Sequence, residues 1–183
     1  MPSLWGTQTM FLPEQGVVFN KDPGWLEHQK THPGETYAPY AQSMQHLSGL
    51  LLLHDVIQWG GPDPAPWAFR AMTAWGWDDD TEFLPYWKNG NVAKVDSGGV
   101  DPVVCSLYTR PHKLLAVLMN DSDQDANVTL QLDMKRLGLE DAGFYSVYDM
   151  LNPPLRLPVW RLDDGKITVP VAKRSYRLLQ YIN

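Results

Sequence analysis

Cysteine is nearly missing from this chain: Cys105 is its single copy, which excludes an intrachain disulfide. No Cys/His cluster has the spacing of a structural zinc site. No apolar run reaches the roughly 18 residues that a membrane span requires. The N-terminus also lacks the basic-then-apolar order of a secretory leader. The chain therefore reads as soluble, without membrane contact, and as periplasmic or secreted if a leader lies outside it. Basic charge is scarce, with 15 Lys and Arg against 21 Asp and Glu and a net charge of −6. Nucleic acid needs a basic footprint, so it is a poor match as partner. What is present is apolar material, 44% of 183 residues, enough to bury a core held by packing alone.

The charge is unevenly placed. Residues 1–88 hold ten Asp and Glu against four Lys and Arg, whereas residues 89–183 hold eleven of each sign. Seven of the eight tryptophans, Trp5, Trp25, Trp59, Trp67, Trp75, Trp77 and Trp87, fall in the acidic part, and only Trp160 lies beyond it. Acids and indoles together suit carbohydrate: aromatic faces stack on the C–H faces of sugar rings while carboxylates accept hydroxyl hydrogen bonds. The structural alternative is that the indoles are core and the acids line solvated loops.

From Asn91 onward the chain reads as short strands between turn signals. The candidates are Asn91–Asp96, Val103–Thr109, Lys113–Asn120, Asn127–Asp133, Gly143–Asp149, Leu155–Trp160, Lys166–Val171 and Ser175–Ile182. Alternation is clear in "NVTLQLD" and "KITVPV". Asp164-Gly165 between two alternating segments predicts a hairpin, and Pro170 inside its strand predicts an edge or a bulge. About eight short strands at this spacing predict an antiparallel β-sandwich.

The first region has a different grammar. Pro2, Pro13, Pro23, Pro33 and Pro39 interrupt residues 1–48. Tyr40, Met44, Leu47 and Leu51 recur at helical spacing and predict a helix over Tyr37–Leu53. Leu50–Ile57 is a continuous apolar run, as a strand buried on both faces requires. Pro66–Trp75 reads as helical, with Pro in its first turn. The expected fold class is thus α+β: a partial (β/α)-type N-terminal region over residues 1–88, then an antiparallel β-sandwich of about eight strands over residues 89–183.

The order "LLHD", "FLPYWKNGNV", "YTRPHKLLAVLMNDSDQDANVTLQLD" and "ITVPVAKRSYRLLQYI" resembles the C-terminal portion of bacterial glycoside-hydrolase-like proteins related to glycoside hydrolase family 123. In these a (β/α) barrel is followed by a small β-sandwich. The resemblance covers roughly Gly49–Asn183. It implies the end of a barrel plus its sandwich, either the tail of a longer enzyme or a shortened relative. Family 123 enzymes use an adjacent Asp-Glu pair with the substrate's acetamido group as nucleophile, and this chain has no Asp-Glu dipeptide. Glu140-Asp141 has the reverse order and falls in the sandwich.

The candidate catalytic residues are His54 and Asp55, at what reads as a strand's carboxyl end, and Asp78, Asp80 and Glu82 in the run that includes Asp79. A carboxylate beside an imidazole can serve as general acid or base. The acids of the first region, Glu35 and Asp63 included, are the pool for a two-carboxylate glycosidase. The structural alternatives are that Asp55 caps a turn, that His54 is a hydrogen-bonded core residue, and that Asp78–Asp80 form a solvated turn. That run also offers oxygen ligands for a hard cation, but it lacks a known loop order, so no metal is assigned. Trp59, Trp77, Trp87 and Asp63 are the candidate saccharide contacts, whereas Trp67 and Trp75 share a helical face suited to packing. No cofactor is indicated.

Three readings follow. The chain is part of a glycoside-hydrolase-like protein, or a non-catalytic carbohydrate-binding module, or an assembly piece whose strand Leu50–Ile57 needs cover from a second copy in a homo-oligomer.

Overall fold

The computed structural model describes residues 27–28, 30–33, 38–56, 71–139, 146–149, 159–161 and 165–182. Among these, helix α1 (Ala38–Leu53) precedes nine strands: β1 (Glu82–Leu84), β2 (Ala93–Asp96), β3 (Val103–Arg110), β4 (Lys113–Asn120), β5 (Ala126–Leu132), β6 (Ser146–Asp149), β7 (Val159–Arg161), β8 (Lys166–Val171) and β9 (Ser175–Ile182). The strands form two antiparallel sheets, one of six in the order β1-β3-β4-β9-β6-β7 and one of three in the order β2-β5-β8. The class is α+β and sandwich-like, as composition and spacing predict. Eight of the nine described strands lie beyond residue 89, and β4, β8 and β9 have the predicted limits.

Alternation explains the smaller sheet. In β5, Val128, Leu130 and Leu132 are buried while Asn127 and Gln131 are exposed. They meet Ile167, Val169 and Val171 of β8 and the inner residues Cys105, Leu107, Leu114, Ala116 and Leu118 of the wider sheet. Strand β4 does not alternate, since its residues from Leu114 to Asn120 are all buried. Its second face carries Leu115, Val117 and Met119, which pack with Leu178, Tyr176, Tyr108, Trp75 and Leu53. The wider sheet is therefore covered twice, by the smaller sheet inside and by α1 with the helical stretch at 71–75 outside. A strand buried on both faces needs the unbroken apolar run "LLAVLM".

Several expectations fail. Leu50–Leu53 do not start a strand; they are the last turn of α1. Val56 donates its N–H to Leu51 O at 2.9 Å and Asp55 to Leu52 O at 3.3 Å, with Asp55 left-handed at φ 57°. This is a Schellman ending in which Asp takes the place usual for Gly, so the common stop signal is missing from the sequence. The (β/α) reading of this segment falls with its strand. So does the reason for a covering second copy, because α1 packs on the sheet of its own chain. The hairpin at Asp164-Gly165 is not formed either: β7 pairs with β6 in one sheet and β8 with β5 in the other. Gly165 instead turns at φ 74°, and its carbonyl accepts Leu132 N–H at 2.9 Å. A Cβ there would meet Leu132 O at 2.5 Å. Pro170 does lie on an edge strand, where its carbonyl accepts Arg177 Nε at 2.8 Å.

Polar clamps fix the helix to the sandwich. His46 Nε2 lies 2.6 Å from Asp121 Oδ1, and Arg174 Nη1 donates to the same oxygen at 2.8 Å. Gln45 Nε2 donates to Ser175 Oγ at 3.0 Å.

Candidate functional site

Helix α1 ends against the wider sheet, and its last carbonyls need donors. Leu50 O lies 2.8 Å from His54 Nδ1, and Leu51 O receives His54 N–H at 3.1 Å as well as Val56 N–H. Leu52 O accepts the Tyr108 hydroxyl at 2.8 Å, and Leu53 O accepts the Ser106 hydroxyl at 2.8 Å. Ser106 Oγ in turn accepts Tyr86 N–H at 3.0 Å. One buried hydroxyl of β3 thus joins the helix end to the turn that follows β1.

That joint sets up an aromatic corner. The Trp87 ring stacks on His54 with centroids 5.7 Å apart and planes at 27°. Tyr86 lies edge-on to both, 4.9 Å from Trp87 and 5.7 Å from His54. Phe83 approaches Trp87 at 6.5 Å and Tyr108 at 5.0 Å. Trp87 is 52% exposed, which makes it the one exposed large hydrophobic side chain among the described residues. Its neighbours pack against it while half of its surface stays open to solvent.

Asp55 belongs to the same corner through Tyr108. Loss of solvation pushes its carboxyl above the usual carboxylate range, and the hydrogen bond with Tyr108 opposes that shift. Burial, then the Asp55 charge, raises the Tyr108 hydroxyl well above its ordinary value. The Tyr108 hydroxyl has one proton for two acceptors, Leu52 O and the Asp55 carboxylate. A protonated Asp55 would remove that competition, in keeping with the direction of its shift.

The other predicted residues separate. Asp78 pairs with Arg110 and accepts Asp80 N–H at 3.1 Å, so it organises a turn with Thr81. Arg110 also donates to Gly76 O. Asp79 and Asp80 are exposed on that turn. Trp77 is half-buried and packs with the helix-side cluster, and Trp75 is fully buried there. Trp59, Asp63, Trp67 and Glu35 lie outside the described residues. No group of three or more His, Cys, Asp or Glu side chains converges among the described residues. Glu82 has a separate setting, in a cleft of about 240 Å³ lined also by Leu84, Lys88, Asn91, Thr109 and Arg136. Cys105 is buried in β3 and its thiol is pushed up by burial, so it is no nucleophile.

The sequence pointed to His54, Asp55 and Trp87 but not to the groups that assemble them. Ser106, Tyr108 and Tyr86 were legible only as strand and turn residues, because their role depends on contacts across 20 to 56 positions of chain.

No family model matches this chain, and no curated protein does. The family-level resemblance therefore rests on its quoted motifs. Among solved structures, a noncanonic maltogenic alpha-amylase from Thermotoga neapolitana is similar, with a TM-score of 0.46 and 12% identity. The match covers 78% of this chain and 37% of the other, so the chain spans well under half of that protein's length.

Proposed function

We propose that this chain is a carbohydrate-binding β-sandwich of the glycoside-hydrolase-like kind, with the aromatic corner at Trp87 as its saccharide platform. The observation that carries this is the pose of Trp87: a half-exposed indole packed against His54, Tyr86 and Phe83. An exposed ring in a monomer's surface loses little by being truncated, whereas a fixed ring offers a face to the C–H side of a sugar at small entropic cost. Asp55 and His54 supply polar groups at the rim for hydroxyls. A two-carboxylate hydrolytic site would need a second acid facing Asp55, and Asp78 is committed to Arg110 instead.

The test is binding of the 183-residue chain to a panel of soluble oligosaccharides by calorimetry, repeated with Trp87→Ala. The variant should keep its melting temperature and lose at least about tenfold in affinity, as for a central aromatic anchor. Undiminished affinity in Trp87→Ala would remove the platform.

A further inference from the structure

Among the described residues a sheet of six strands faces one of three, and the cleft at Glu82 lies at the wider sheet's margin, beside inner-face positions. Glu82 pairs with Thr109, Thr109 with Leu114, and Leu114 with Tyr181, so these four form one row across β1, β3, β4 and β9. Residues directly opposite in a sheet share a face. Leu114 and Tyr181 are buried in the inter-sheet core, and Glu82 is the row's outer end, facing the same gap.

Of the three charged side chains lining this gap, Arg136 is engaged, and so is the neutral amide of Asn89. Arg136 donates to Asn91 O at 3.2 Å and lies 3.5 Å from Asp133, and Asn89 donates to the carbonyls of Leu84 and Cys105. Glu82 and Lys88 are the exceptions. Both line the cleft and both are exposed, and neither side chain has a hydrogen bond or ion pair among the described residues. The cleft thus offers a free acceptor and a free donor of opposite charge, and the Thr109 side chain and the apolar Leu84 and Val92 line it with them. A hydroxyl is donor and acceptor at once, so adjacent sugar hydroxyls satisfy such a pair without bringing charge of their own. The apolar part of the lining suits the C–H face of the same ring. The volume lies below the roughly 300 Å³ at which drug-sized pockets begin, which limits the occupant to about one ring.

We propose that this cleft is a second saccharide subsite that holds a single neutral sugar ring, with Glu82 and Lys88 binding its adjacent hydroxyls. The proposal rests on the saccharide reading of the Trp87 platform. The two lie on opposite faces of one edge segment, since Phe83 packs on the helix side while Glu82 and Leu84 face the gap.

Two-dimensional amide NMR of the full chain, titrated with a panel of neutral methyl glycosides and disaccharides, separates the two claims. The expected result is saturable shifts at Glu82, Lys88 and Thr109. These should persist in Trp87→Ala and weaken by about tenfold in Glu82→Gln and in Lys88→Met, the scale of a hydrogen bond to a charged group. Shifts confined to the surroundings of Trp87 would overturn the cleft subsite and leave the platform standing. Cleft shifts produced by free amino acids in place of sugars would overturn the ligand class. No shift with any sugar at either place would overturn both.

Discussion

At the scale of single residues, Asp55 joins a backbone role to an electrostatic one. Its left-handed conformation ends the helix; the residue is exposed overall, but partial loss of solvation raises its carboxyl against the opposing Tyr108 hydrogen bond, so the folded chain holds its proton more tightly than the unfolded chain does. The sign of the linkage follows. Below the ordinary carboxylate pKa both states are protonated and Asp55 costs nothing. As pH rises through that range and then through the raised folded value, the unfolded state ionises first and folding loses stability. Asp55→Asn should remove this loss, and Asn is well tolerated in the left-handed region. Thermal melts of the two proteins, from acid to neutrality, should diverge with rising pH, the Asn variant being the more stable at neutral pH. Parallel curves would show that the carboxyl is not desolvated.

At the scale of elements, α1 lies against β4 and β9 with almost no gap at one position. A Cβ on Gly49 would come 2.6 Å from Tyr176 Cδ1 and 2.8 Å from Met119 Sδ. In a free helix Ala is better than Gly by about 1 kcal/mol. Here Gly49→Ala should instead destabilise by about 1 to 3 kcal/mol, the usual cost of overpacking. Each kcal/mol lowers the melting temperature by roughly 2 to 4 °C in a chain of this size. A raised melting temperature would mean that the helix stands off the sheet. The helix itself was legible from Tyr40, Met44, Leu47 and Leu51. Its last turn was not, because "LLLL" satisfies a buried strand and a buried helix equally. Only the Schellman bonds at Asp55 and Val56 distinguish them.

At the scale of the molecule, composition divides the chain near residue 88, but packing crosses that line. Strand β1 pairs with β3, and α1 covers Leu115, Val117, Met119, Tyr176 and Leu178. A fragment of residues 89–183 would leave that face open, an apolar patch of the kind that drives association. Expressed alone, the fragment should aggregate or bind a hydrophobic dye, while the full chain should unfold in one transition that includes the helix. A soluble, cooperatively folding fragment would instead establish residues 89–183 as an independent domain.

The sequence by itself located the strands beyond residue 89, because turn residues and, in β5 and β8, period-two alternation are local properties and the pleat repeats every two positions; it missed β1 and placed a strand at Leu50–Ile57 where the helix ends. It also determined the acidic, indole-rich character of the first region. It did not determine which strands pair: Asp164-Gly165 has hairpin chemistry, yet β7 and β8 enter different sheets, since burial of Ile167, Val169 and Val171 against β5 outweighs a local turn preference. Nor could it decide which tryptophan meets solvent. Helical spacing marked Trp75 for packing, and it is fully buried, but Trp77 and Trp87 were equal candidates, and only the tertiary structure half-buries the first and leaves the second open beside His54. Exposure depends on what distant segments cover, and those contacts have no local signature.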